Sequence, residues 1–575
     1  MRNKHCILPW FLVALSLHAA AQIPNAKKTY REQAFLHTDR NCYLAGETVW
    51  MKMYTVNDDT TDGFHSAIGY IDLYNESSRM PSIQAKLLLD SLSHAAGTLE
   101  IPDSLPTGSY RLRAYTRNME QYGLFYEKNI RIVNTFEPVP RLQKQKGLPA
   151  PVAYHLQAST NAGHFGKRQP VKITINSFDD THAPIVANLS AAVYRMNALQ
   201  SLDSPDIRQL AVPQQSHYLS KDTFHLPEPY NQVLTGRITD KKTGAPLQVP
   251  VMITVTGQSP RFYCIPATRD GDFSLDLQGY SGNADVIVQA YTPTHNGYLV
   301  TVYSPFTDFT PPRTPAFFTE ENNDSSRTSA AMDASLQRQL LEDHIGAQVW
   351  QTFYGDSILP APARFRDTTF FFTKPEEEVM LDDYTRFTTV EEVFREFIKT
   401  VMVRKYGDTL HLHVLNSQLV NPKFFDTDPL ILLDGVPVFD NKRIFALNPL
   451  QLRKVSVMAH KAFYPGGVFN GVVSIQTYAG DMAGYKLDPN AMVADYSGTE
   501  LPLQFYVPNY ARKNVPSMPD QRNTLYWNPA VQTDSNGNGA ISFYTGDEPG
   551  VYCLVLQGLS AQGKPCYTFS TFTVE

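Results

Sequence analysis

Bulky apolar residues recurring two apart, with polar or aromatic residues between them, predict strands along much of this chain. In residues 48–57, Val49, Met51 and Met53 alternate with Trp50, Lys52 and Tyr54, which predicts a strand partly covered on both faces. IGYIDLYN (68–75), QPVKITINSFD and NLSAAVYRMN repeat the pattern. Helical spacing marks two stretches. In 329–354, Leu336, Leu340 and Ile345 provide an apolar side. In 388–401, Val390, Val393, Phe394, Phe397, Ile398 and Val401 form a broad apolar stripe, and Thr388 and Glu391 fit a capping box at its start.

Residues 428–479 combine both periods in a compact β-α-β-β order. A short apolar run, Leu430 to Leu433, stops at the turn signal Asp434-Gly435. Val436 to Phe439 follows. Asn448 is placed to cap a helical turn with Pro449 at its first position, where a missing N–H costs little. Leu452, Val455 and Val457 predict a strand, Pro465-Gly466-Gly467 breaks it, and residues 472–477 alternate again.

LDGVPV, NPLQLRKVSV and YPGGVFNGVVSIQT, in that order, resemble the plug domain of TonB-dependent outer-membrane receptors. The barrel of such a receptor requires well over ~200 residues after its plug, and 96 follow Ala479. The expectation is a plug-like unit with no encoded pore. Elsewhere, Asp39-Arg40, Tyr43 and Gly46-Glu47 match the opening of a macroglobulin-like sandwich, and Trp527-Asn528-Pro529, Asp534, Gly537 and Phe543 match another near the end. Gly236, Asp240, Gly244, Pro246, Asp270-Gly271 and Phe273 resemble a carboxypeptidase-regulatory-like domain, an accessory module without peptidase chemistry.

The expected fold is therefore mainly β: tandem immunoglobulin-like, macroglobulin-like β-sandwiches with one small α+β plug-like domain. Expected boundaries are a signal peptide (1–21), a macroglobulin-like sandwich (22–136), a second sandwich (150–212) and a transthyretin-like sandwich (232–305). A linker with a helix (306–387), the plug-like unit (388–480) and a C-terminal macroglobulin-like sandwich (500–575) follow. Residues 141–147, between the first two sandwiches, and 306–328 read as plain linkers.

Composition adds three points. Forty prolines, 31 tyrosines and 32 phenylalanines suit many short strands joined by turns. A formal charge of -6 gives no support for nucleic-acid binding. The first 21 residues have the charged start, apolar middle and small-residue end of a secretory signal. After cleavage Cys42, Cys264, Cys553 and Cys566 remain, too scattered for a disulfide framework. A hairpin turn at Ala561-Gln562 sets Cys553 opposite Ser570 and Cys566 opposite Gln557, on one face but too far out of register to bond without a shift, so free, buried thiols are favoured over a Cys553–Cys566 disulfide.

Candidate chemistry is sparse. His37, Asp39 and Arg40 are either a functional group or a structural pairing at a strand end, and pairing is favoured. His411 and His413 share a strand face but have no evident third ligand for zinc, which favours a hydrogen-bonded surface pair. Asp534, Asn536, Asn538 and Gly539 imitate the first half of a calcium loop, but the twelfth position is Thr545 where a bidentate Glu is required, so a β-turn is favoured. No catalytic, cofactor-binding or metal-ligating residue is assigned, and no cofactor is implied. The macroglobulin resemblance brings no thioester, because Cys-Gly-Glu-Gln does not occur.

The resulting expectation is a non-enzymatic, exported accessory of an outer-membrane assembly, partnered by an outer-membrane β-barrel or another envelope protein, with membrane association only through that partner. Two alternatives remain open: a macroglobulin-like binder of proteases or peptides with 306–328 as bait, and an enzyme with an unfamiliar site.

Overall fold

The computed structural model describes residues 31–57, 65–75, 80–137, 152–202, 206–211, 228–257, 260–292, 297–307, 334–354, 374–501, 503–511 and 519–575. The signal segment, linker 141–147 and nearly all of linker 306–328 lie outside them. The chain is mainly β, as expected, and the described residues form three sandwiches and one α+β unit.

The first sandwich packs a three-stranded sheet (Glu32–Thr38, Thr48–Asn57, His94–Glu100) on a five-stranded one. Its strand Thr48–Asn57 explains the double alternation. Gly69 of the opposite sheet leaves room for the Met53 thioether, while Lys52 and Tyr54 reach Asn188 and Ser190 of the second sandwich. All six residues from Val49 to Tyr54 are buried.

The expected sandwiches 150–212 and 500–575 are one sandwich. Pro170–Ser177 pairs with Asn538–Tyr544, and Ala187–Arg195 lies between Thr524–Gln532 and Gly550–Ser560. The reason is local. Ala187–Arg195 is buried along nearly its whole length, so both edges need ladder partners, and the few strands of 153–195 cannot supply them. The two halves share a core that includes Ile173, Leu189, Val193, Phe543 and Leu554.

The third sandwich also extends past its expected end. Val233–Asp240, Asp272–Asp276 and Tyr298–Val302 face a four-stranded sheet whose last member is Met492–Ser497, antiparallel to Asn283–Ala290. The Asp270-Gly271 turn forms as expected. Gly271 has φ +76°, and a Cβ there would lie 2.3 Å from the Ile238 carbonyl oxygen.

Between Tyr298–Val302 and Met492–Ser497 the chain makes a long excursion. Helix Ala334–Tyr354 packs Leu336 and Leu340 against Cys42, Leu44, Val133 and Leu199. Ile345, expected on that apolar side, is exposed; Leu336, Leu340, Asp343 and Ala347 carry the packed stripe instead.

The α+β unit follows. Its β-α-β-β order is as expected: Leu430–Leu433, helix Asn441–Phe445, Leu452–Tyr464 and Gly467–Thr477, with Leu430–Leu433 parallel to the last strand. Asn448 caps its turn by accepting from Leu450 N–H at 3.0 Å. The unit starts before residue 388, because Glu377–Met380, assigned above to the linker, pairs with Leu452–Tyr464. The capping box is one residue later than expected. Thr389 and Glu392 form it, while Glu391 pairs with Arg395 at 2.8 Å. The signature occurs twice in register, and the buried Val390 at the first helical position selects the second copy. The helix is Val390–Phe397; Ile398 is extended, and Val401 opens a strand that pairs with Thr409–Asn416.

Gly558 sits where the two halves of the second sandwich meet, and a Cβ there would approach the Asn188 carbonyl oxygen to 2.2 Å. Gly558→Ala is expected to destabilise the protein by about 1–3 kcal/mol. Gly163→Ala, in open space, serves as the neutral control in thermal denaturation. Equal melting temperatures for the two variants would contradict this closure.

Candidate functional site

The first and second sandwiches meet around Asp39. Its carboxylate accepts from Tyr43 Oη at 2.8 Å, Trp50 N–H at 3.1 Å and Thr524 Oγ1 at 2.7 Å. Arg40 lies 3.4 Å from Asp39 and 2.9 Å from Glu47. Burial raises the Asp39 carboxyl above its ordinary value against the pull of Arg40. Burial disfavours the Arg40 charge, yet Glu47 and Asp39 together hold it more firmly protonated than usual. His37 belongs to a different contact: Nδ1 meets Ser190 Oγ at 2.6 Å and the ring sits edge-on to Trp527. The three residues form no triad. Asp39 and Arg40 pair structurally, and with Thr524 they fasten one sandwich to the other.

Beside this junction lies a cavity of about 480 Å³. Trp50, Phe505 and Trp350 line it in series, with Trp50 edge-on to Phe505 at 5.2 Å and Trp350 stacked on Phe505 at 6.1 Å. Distant stretches supply its walls: 39–50, 100–103, Phe136, helix Ala334–Tyr354, 503–505 and 522–524. No local motif marks it, which is why sequence reasoning missed it.

Two buried lysines were missed for the same reason. Lys52 donates to Asn188 Oδ1 and lies over the Tyr54 ring at 4.5 Å. Lys86 lies over the Tyr496 ring at 4.0 Å and reaches Gln232 Oε1 at 3.4 Å, between the first and third sandwiches. Among the described residues neither has an ion-pair partner, and burial pushes each down to about 7. Near Lys86, Glu228 accepts from Tyr70 Oη at 2.6 Å and pairs with Arg117 at 3.3 Å.

The other candidates resolve separately. His411 Nδ1 meets Asp428 at 2.7 Å, and His413 Nδ1 meets the Phe425 carbonyl oxygen at 2.6 Å. They share a face, as expected, but His413 is buried, so they are not a surface pair. Asp534 Oδ1 accepts from Asn536 N–H at 2.9 Å and Asn538 N–H at 2.8 Å, and Gly537 has φ +74°. Those bonds make a hairpin turn, and Thr545 donates to the Gly166 carbonyl oxygen at 2.8 Å. All four cysteines are free and buried. The Cys553–Cys566 register is shifted by one from expectation, Cys553 facing Thr571 and Cys566 facing Gly558. A one-residue shift sends the thiols to opposite faces and into different cores.

The α+β unit presents an exposed apolar tip. Phe463 and Val468 are cross-strand partners at the end of its longest hairpin and are 75% and 57% exposed. The opposite side of that tip docks on the third sandwich, where Gly466 N–H donates to the Cys264 carbonyl oxygen at 2.9 Å.

No family model matches this chain, and no curated protein sequence matches it. Solved structures similar to it include a Salmonella α-2-macroglobulin (10% identity, TM-score 0.24, 95% of this chain and 40% of that one). The native conformation of Escherichia coli α-2-macroglobulin matches at 10% identity and TM-score 0.24, over 96% of this chain and 40% of that one. The Escherichia coli adhesin FdeC matches at 11% identity and TM-score 0.14, over 47% and 63%. This chain thus spans about 40% of the length of the macroglobulins it matches. Superpositions this loose carry no argument about the function of this chain.

The buried lysines give a pH dependence. An unfolded lysine titrates near ~10.4 and folded Lys86 near about 7. Between those values the unfolded chain binds the extra proton, so the contribution of Lys86 to stability rises with pH from 7 toward 10. Lys86→Met is expected to be more stable than the parent at pH 7 by about 1–4 kcal/mol and to show a shallower rise by pH 9.5 in urea denaturation. Lys52 acts in the same direction, whereas the buried thiols, pushed up to about 12, oppose the rise above pH ~8.5. A variant with the parent's pH profile would refute this assignment.

Proposed function

We propose that this chain is a non-enzymatic adaptor of the cell envelope that works by contact between folded surfaces, its partner being an outer-membrane β-barrel protein. The observation that carries the reading is the Phe463–Val468 tip. Two large apolar side chains stand exposed as a cross-strand pair, on a hairpin whose other face is fixed to the third sandwich. Large exposed apolar side chains held on a rigid element suit a protein contact better than bond-breaking chemistry.

Two sequence features support the envelope setting. The first 21 residues read as a secretory signal, and residues 428–479 resemble a receptor plug. A TonB-dependent uptake system is the finer form of the proposal. The sandwiches serve as spacers, their resemblance to macroglobulin-like modules being one of architecture.

The test is co-fractionation of the mature chain with outer membranes. The parent is expected to co-sediment and to be retained with a barrel protein after mild detergent extraction. Burying each side chain of the tip contributes about 1.5–3 kcal/mol, so Phe463→Asp with Val468→Asp is expected to release the chain with its fold intact by circular dichroism. Recovery of the parent as a soluble, partnerless protein would overturn the reading.

A further inference from the structure

The cavity beside Asp39 has no part in the adaptor reading, and its lining specifies a ligand of its own. One wall is aromatic, built from Trp50, Phe505 and Trp350. The polar lining carries both signs of charge. Glu100 and Asp103 line the cavity from exposed positions, and among the described residues no cation or hydrogen-bond donor engages either carboxylate. Arg40 also lines it; that side chain is 7% exposed and is held by Glu47 at 2.9 Å and Asp39 at 3.4 Å. Gln348 and Gln351 of the helix add amides that donate and accept.

These groups discriminate between ligand classes. An anion would meet Arg40 but also the carboxylates of Asp39, Glu47, Glu100 and Asp103. A cation would meet Glu100 and Asp103 but also the Arg40 guanidinium, whereas Arg522 is neutralised by Asp520. Arg40 is already paired with Glu47 and Arg522 with Asp520, so the unengaged groups are the Glu100 and Asp103 carboxylates, and a hydroxyl group donates to a carboxylate without adding charge. A sugar ring adds a face of C–H bonds, which packs on the electron-rich face of an indole or phenyl ring. The volume, about 480 Å³, is that of an ordinary small-ligand site.

The geometry points to a binding site for a neutral saccharide at this junction, with the aromatic series as its platform and Glu100, Asp103, Arg40 and Gln351 as its hydrogen-bonding groups. The site lies among the first sandwich, the second sandwich and helix Ala334–Tyr354, away from the Phe463–Val468 tip. Saccharide binding and partner docking therefore succeed or fail separately.

Tryptophan fluorescence is a selective readout here. The sequence has four tryptophans. Trp10 lies in the signal segment, Trp50 and Trp350 line the cavity, and Trp527 is buried against His37. The mature chain is titrated with maltotriose and N-acetylchitotriose as neutral probes, and with lysine and citrate as charged ones. A saturable response to at least one neutral probe, and to neither charged one, is expected. Asp103→Asn and Gln351→Ala, both at exposed positions, are expected to weaken that binding about tenfold each. Trp350→Ala, followed by calorimetry, is expected to abolish it. A free saccharide is distinguished from the end of an envelope glycan by competition with amylose or soluble chitin of equal end concentration; either source supports the proposal. No saturable response to either neutral probe, a response only to a charged one, or unchanged affinity in all three variants would overturn it.

Discussion

The structure depends on one strand that cannot be completed locally. Ala187–Arg195 is buried almost throughout and hydrogen-bonds on both edges to strands more than three hundred residues later. A buried strand with an open edge would leave a row of N–H and C=O groups without partners. The chain must therefore return after everything between has folded out and back. Such closure costs less than its length suggests, because loop entropy grows only with the logarithm of the loop. The third sandwich repeats the arrangement on a smaller scale, since Met492–Ser497 comes back to finish its sheet. The result is nested: the α+β unit sits innermost in sequence, the third sandwich encloses it, and the second sandwich encloses both.

Nesting explains where polar groups are buried. Asp39 with Thr524, Lys52 with Asn188, and Lys86 with Gln232 each join segments more than a hundred residues apart. Burying such groups adds little net stability, because desolvation offsets the attraction. What they supply is registration: an apolar surface tolerates sliding, whereas a buried carboxylate with three donors is satisfied in one position only. The sandwich-to-sandwich contacts are thus specified by hydrogen bonds at a few points.

What could be read from the sequence follows the same division. Turn chemistry at Asp270-Gly271 and Asp534–Gly539, the Asn448 cap and the β-α-β-β order of 428–479 are set by residues within a few positions of one another, and all were legible. Strand partners were not, because alternation reports that a strand is covered without saying by what. The double alternation at Val49–Tyr54 did carry the information that a second body covers this strand. Two errors were single-residue shifts with a physical source: the repeated Thr-x-x-Glu, and a hairpin register that a slightly longer turn changes. The cavity was invisible because its aromatic residues share no local pattern.

The two ways of joining bodies in this molecule have different consequences. The α+β unit meets the third sandwich through an apolar layer, Leu430, Leu432, Met458 and Val472 against Met252, Phe262 and Cys264. Two side chains donating to backbone carbonyl oxygens hold its register, Thr254 to Gly435 and Gln289 to Pro437. None of these groups titrates near neutrality, so this contact keeps its strength across the pH range in which Lys86 changes charge. The first and third sandwiches meet instead through Lys86, Glu228, Arg117 and Tyr496 around Gln232, where charge and burial compete. The third sandwich is common to both contacts. Lys86 makes the junction of the third sandwich with the first sensitive to pH, as Lys52 does for the junction of the first with the second.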